Sequence, residues 1–196
     1  MNEALRDELL QMREHDLRVR HELLDAGKLG GAYVPEMEAV HRKNAERLRE
    51  IIANHGWPHE ELVGEEGAKA AWFIAQHAIG EPDFQRQALQ HLQRHSAEGK
   101  LPAWHAAYLE DRIATYEGRP QRYGTQWVDD IRDGLARPFP LEDPARVDEF
   151  RGAVGLGPLH PIPSPGPDLS PEFQEKERTN RDAWDAWLVK TGWRKK

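Results

Sequence analysis

The stretch AKAAWFIAQHA, residues 68–78, decides the fold. It is apolar around nearly its whole circumference, so as a helix it belongs at the centre of other helices. The flanking sequence supplies those helices. Residues 3–26 carry Leu5, Leu9, Met12, Val19 and Leu23 on one stripe and Leu10, Leu17 and Leu24 on its neighbour, with Gly27 as a natural stop. A second helix is predicted from Pro35 to Gly56, with Met37, Val40, Leu48, Ile51 and Ile52 inward, and GWPHEELVG (56–64) reads as a turn-rich connector. Pro82 opens a fourth helix to about Ala97 with Phe84, Ala88, Leu89 and Leu92 inward. Pro102 opens a fifth to about Glu117, with Ala106, Leu109, Ile113 and Tyr116 on one side.

Helical periodicity then stops. RPQRYGTQWVDDIRDGLARPFP (119–140) places aromatic and β-branched residues around an Asp133–Gly134 turn, which predicts a loop leading into a short hairpin. Asp143 and Pro144 cap a short helix ending near Val154. Residues 155–171 are too rich in Pro and Gly for a helix or a central strand and read as an ordered wrap or a linker. Ser170–Pro171 starts a last helix to about Lys190, bearing Phe173, Trp184, Trp187 and Leu188 and followed by Trp193. The expected fold is mainly α: a compact helical bundle over residues 1–157 with a short loop or hairpin after the fifth helix. A Pro-rich segment and a Trp-rich C-terminal helical strap then occupy 158–196.

Composition removes several function classes. The 196 residues carry 27 Lys and Arg against 34 Asp and Glu, a net charge of −7, and no Cys. Without Cys there is no disulfide scaffold, thiolate metal site or cysteine nucleophile. The acidic balance argues against nucleic acid as a partner, because neutralising phosphates needs Lys and Arg gathered on one face. No apolar run reaches the roughly 20 residues of a membrane span, and MNEALRDELLQMREHD lacks the apolar stretch of a signal peptide, so a cytoplasmic protein is expected. GxGxxG, P-loop, GxSxG and HExxH motifs are missing, and no cofactor is named. The His15–Asp16 dipeptide resembles the HD pair of metal-dependent phosphohydrolases, but a helix points those two side chains about 100° apart, and no metal ligands are assigned.

The informative residues are polar ones inside apolar stripes. Asp16 falls at the centre of the first helix's stripe with Arg20 one turn on, so it needs Arg20 or a donor from another helix. Asn44 lies between Val40 and Leu48 with His41 at its flank. Gln76 and His77 end the central helix, and Asp111 and Arg112 lie on the fifth. If these helices pack together, the polar groups share an interior where a small-molecule or peptide substrate can bind. His77 is the expected general acid or base, because imidazole titrates near neutral pH. Asp16 and Asp111 would orient it or hold substrate, Arg20 and Arg112 would bind an anionic group, and Tyr123 and Gln126 would donate to developing negative charge. Asn44, Gln76 and Trp57 complete the expected binding surface. Two alternatives stay open: a non-catalytic protein-binding or toxin-neutralising module with a structural polar network, and a metal-dependent hydrolase.

The series Asp16…Arg20, Asn44, GWP (56–58), Gly64, AAWFIAQHA (70–78), LEDR (109–112) and QRYGTQ (121–126) resembles a bacterial family of unknown function marked by GWP, AAW…QHA, DR and YGTQ motifs. The resemblance spans roughly residues 4–157. It implies no particular reaction, but the family-like polar positions include Asp16, Arg20, Asn44, Gln76, His77, Asp111, Arg112, Gln121, Tyr123 and Gln126.

Overall fold

The computed structural model of the protein describes residues 1–29 and 33–195. The chain is mainly α-helical. Its elements run α1 (Glu3–Asp25), α2 (Pro35–His55), α3 (Glu60–His77), α4 (Pro82–Ala97), α5 (Ala103–Tyr116), β1 (Trp127–Asp129), β2 (Ala136–Pro138), α6 (Val147–Ala153) and α7 (Pro171–Lys190). The described residues fall into two compact units, Met1–Ala106 and Ala107–Lys196, with the boundary inside α5.

In the first unit α3 is the hub, packing against α1, α2 and α4. Its Ala70, Ala71 and Ala75 have no exposed surface, and these small side chains let neighbouring helices approach closely. Leu9, Leu48, Ile51, Phe84, Ala88 and Leu92 on the neighbouring helices are likewise buried. Burying a Leu, Ile or Phe side chain contributes about 1.5–3 kcal/mol, so these contacts rather than helix propensity hold the unit together. The connector 56–64 is shorter than its composition suggests. Glu60–Val63 form a helical turn, and the chain breaks from helical geometry only at Gly64, whose φ of 72° suits a residue without Cβ. The segment between α1 and α2, GKLGGAY (27–33), which reads as a loop from its glycines, lies partly outside the described residues. Leu24, placed on an apolar stripe by periodicity, is 57% exposed.

The C-terminal end of α3 is fixed by α4. Gln85, wholly buried, donates its Nε2 to the carbonyls of Ala75 and Gln76 at 2.7 and 3.0 Å. The last turn of a helix has carbonyls with no partner of their own, and this side chain satisfies two acceptors there.

The second unit is organised by its loop. β1 and β2 form an antiparallel hairpin pairing Trp127 with Pro138 and Asp129 with Ala136. Gln121, buried, donates Nε2 to the carbonyls of Gln126 and Phe139 and accepts from the Gln126 amide, tying loop to hairpin. α7 is capped by Ser170, whose hydroxyl oxygen accepts from the Phe173 amide. Trp184 and Trp193 pack edge-on against Tyr116 of α5 with ring centres 5.7 and 5.3 Å away. Arg194 donates to the carbonyls of Thr115 and Tyr116 at the end of that helix. The Trp-rich tail is therefore docked on its own chain within this unit. No helix among the described residues is long and apolar enough to cross a membrane.

Candidate functional site

Three helices of the first unit aim polar side chains at one point. Leu9, Asp16 and Leu23 recur every seven residues on α1, which carries Asp16 into the core with no exposed surface. Its two carboxylate oxygens are met from different helices. His77, the last residue of α3, places Nδ1 3.0 Å from Oδ1. His41, on the buried Met37–His41–Asn44–Leu48 face of α2, places Nε2 3.0 Å from Oδ2. The two imidazoles meet edge-on with centroids 5.1 Å apart. Behind His41, the Tyr33 hydroxyl lies 2.5 Å from Nδ1. Phe73, one turn back on α3, packs against the His77 ring with centroids 3.8 Å apart. The polar chain thus runs Tyr33–His41–Asp16–His77.

Burial alone would raise the Asp16 carboxyl. The close polar contacts and charges of His41 and His77 outweigh it and hold the group at about 2, so Asp16 is an anion at neutral pH. The two histidine contacts differ in kind. His77 makes an aligned hydrogen bond, whereas Asp16 Oδ2 and His41 Nε2, both buried, lie at contact distance without an aligned one. Exposure rises along the cluster, from 0% for the Asp16 side chain through 9% for His41 to 25% for His77. His77 is the side that solvent reaches.

The other residues singled out in the sequence fall as follows. Arg20 is exposed on α1, and the partners of Asp16 are the two histidines from other helices. Asn44 is buried on the His41 face, with its Nδ2 lacking a hydrogen-bond partner. Gln76 is buried beside His77. Trp57 is a core residue with no exposed surface, stacked on His91 at 6.0 Å. In the second unit, buried Asp111 accepts from the amides of Arg122, Tyr123 and Thr125 and from the Thr125 hydroxyl. It is the anchor of the YGTQ loop. Burial raises its carboxyl despite those donors, and burial likewise raises the Tyr123 phenol. Arg112 donates Nε to Gln126 Oε1 at 3.3 Å, and Arg151 donates to the Tyr123 carbonyl at 2.7 Å.

Sequence reasoning undervalued His41 and missed Tyr33. His41 was legible in principle, since 41, 44, 45 and 48 share one helical face. Tyr33 carries no such signal, because it precedes α2 and its position depends on the path of the loop. A cavity of about 240 Å³ between α2 and α4, lined by Ile52, Phe84, Gln87 and His91 among others, includes none of the cluster.

The cluster supports two kinds of chemistry. A buried carboxylate can fix an imidazole by one nitrogen so that the other moves a proton. Asp16, His41 and His77 are also, among the described residues, the one group of three able to ligate a metal ion, with one donor atom from each lying within 4.8 Å of the others. The sequence profile of a family of unknown function (DUF6624) matches residues 3–162. No curated protein and no solved structure gives a significant match.

Proposed function

We propose that this chain, which belongs to that family of unknown function, is an enzyme whose reaction centre is the Asp16–His41–His77 cluster. The reaction is hydrolysis or group transfer on a small polar or peptide substrate, with a proton moved at a histidine. The observation that carries this reading is the 3.0 Å contact between the His77 Nδ1 and the wholly buried Asp16 Oδ1, set at the end of the cluster nearest solvent. A carboxylate in that position fixes the ring's orientation and tautomer and stabilises the imidazolium that forms when the other nitrogen takes a proton. Burial of a charged carboxylate is costly unless it is partnered, and this protein places one beneath a half-shielded histidine. The reading places the enzyme in a bacterial cytoplasm, and with no Cys in the sequence its chemistry uses no thiol.

The test is turnover of a panel of small esters, amides, peptides and phosphoesters by the wild-type chain and by His77→Ala and Asp16→Asn. Loss of about 100-fold or more in kcat/KM in both variants, with helical content unchanged, is expected. Turnover that survives His77→Ala overturns the reading.

A further inference from the structure

We infer that Asp16, His41 and His77 are the ligands of a divalent first-row transition-metal ion, with zinc the best match to the donor set. The inference rests on the reading above for the location of the reaction centre. It shifts the reacting proton from the His77 ring to a water held by the ion.

The geometry comes first. Zinc binds imidazole nitrogen and carboxylate oxygen at about 2.0–2.2 Å, which sets neighbouring ligand atoms roughly 3–3.5 Å apart. Two edges of such a polyhedron are present, His41 Nε2 to Asp16 Oδ2 and His77 Nδ1 to Asp16 Oδ1, both 3.0 Å, and one donor atom from each of the three residues lies within 4.8 Å of the others. The ligands come from three different helices, so the packing of α1, α2 and α3 presets the site.

The independent observation is the pair inside the cluster that meets at ion-pair distance without hydrogen-bond alignment. Asp16 Oδ2 and His41 Nε2 belong to side chains that are 0% and 9% exposed, stand 3.0 Å apart, and form no aligned hydrogen bond with each other or with any other group. Leaving buried donors or acceptors without an aligned partner is costly. The Tyr33 hydroxyl at 2.5 Å from Nδ1 explains the arrangement. In the tautomer with Nδ1–H donating to the Tyr33 oxygen, the Nε2 lone pair faces the carboxylate and a metal cation between the two satisfies both. In the other tautomer a proton on Nε2 does so, and titration with metal separates the two. A second partner on the far nitrogen of a ligating histidine, fixing its tautomer, is the usual support of a metal site.

The donor set narrows the ion. Two imidazoles and one carboxylate suit zinc, iron, cobalt or manganese, whereas calcium and magnesium take oxygen ligands almost exclusively. Three protein ligands leave coordination open for water or substrate, the mark of a catalytic rather than a structural zinc site. The more exposed His77 lies on the side from which a substrate would arrive.

The experiment uses the full chain stripped with a chelator, then titrated with Zn2+ by calorimetry and with Co2+ by visible absorption. One ion per chain is expected, with the intense visible bands of a four- or five-coordinate cobalt site. His41→Gln and Asp16→Asn should weaken Zn2+ binding by more than about 100-fold and abolish those bands, and Tyr33→Phe should weaken it by about 10-fold. The exposed His21→Gln should bind as the wild type does. Circular dichroism accompanies each variant, and His77→Gln substitutes for any that fails to fold. Failure of the wild type to take up one equivalent of either ion, or uptake that persists in His41→Gln and Asp16→Asn, overturns the inference. Turnover that needs His77 in chelator-stripped protein would overturn it too, while leaving the proposed reaction centre standing. Metal binding without turnover of any substrate would do the reverse.

Discussion

His41 on α2 and Asp16 on α1 hold a ring nitrogen and a carboxylate oxygen 3.0 Å apart inside the first unit, 25 residues distant in sequence. The contact is not one of two surface side chains that settle together by chance, since both are almost fully removed from water. The cluster is therefore part of the packing as well as a place for chemistry, and its removal should be felt in both.

Replacing Asp16 by Ala leaves His41 and His77 without their shared anion and opens a polar void between three helices. Breaking a buried charged contact by removing one partner costs about 3–5 kcal/mol. Chemical denaturation of chelator-treated protein should show a loss on that scale for Asp16→Ala and a smaller loss for the near-isosteric Asp16→Asn. A change below about 0.5 kcal/mol in Asp16→Ala would mean that the carboxylate is not integral to the packing.

His105 gives a pH signature that does not involve the cluster. Its ring is 2% exposed, stacked on Trp72 at 4.9 Å, and neither ring nitrogen has a hydrogen-bond partner. Burial, aided by the charge of Lys69, lowers it from 6.5 to about 4. The unfolded chain therefore takes up a proton near pH 6.5 that the folded chain refuses until about pH 4. Stability should fall as pH drops through that window, by roughly 3 kcal/mol in total. His105→Phe should flatten this part of the stability curve, and an unchanged slope in the variant would refute the assignment.

Asp111 should behave as a fold anchor for the YGTQ loop. Asp111→Ala removes the acceptor for three amides and one hydroxyl. Each unsatisfied donor costs about 1 kcal/mol or more, so a loss of about 3 kcal/mol is expected. Hydrogen exchange at the amides of Arg122, Tyr123 and Thr125 should accelerate more than exchange along α7. Uniform acceleration across the chain would argue against a local anchor.

Gly124 tests the loop's backbone. Its φ is +64°, and an added Cβ would lie 2.8 Å from Leu159 Cδ1. Gly124→Ala meets both a disfavoured conformation and a clash, and should cost about 1–3 kcal/mol. Adding Leu159→Ala should return only the part due to the clash, so thermal melts of the single and double variants separate the two contributions.

The candidate site was partly legible in the sequence, and the residues show why. Asp16 and His77 stood out because a polar side chain in an apolar stripe needs a partner, and stripes are written in the local sequence. His41 was visible only as a neighbour of Asn44, and nothing in the one-dimensional pattern told which of the two met Asp16. Arg20, one turn away on the same helix, was the local candidate, but the structure leaves it exposed and brings two histidines from other helices instead. Asp111 illustrates the opposite case: a buried carboxylate that sequence marks as functional can spend all its acceptors on its own loop.

Local sequence marks out the helices, most of their inward faces, the hairpin turn and a last helix after the Pro-rich segment, because period, caps and Pro or Gly punctuation act within a few residues. It left open what that last helix docks on, and it misplaced Leu24, which is exposed. It also determined that α3 is the hub, since a helix apolar on nearly every side has nowhere else to go. That Tyr33, His41, Asp16 and His77 form one chain of contacts is set by the packing. That outcome depends on the relative rotation of three packed helices and on the path into α2, and an imidazole moved by a few ångströms would meet no carboxylate at all.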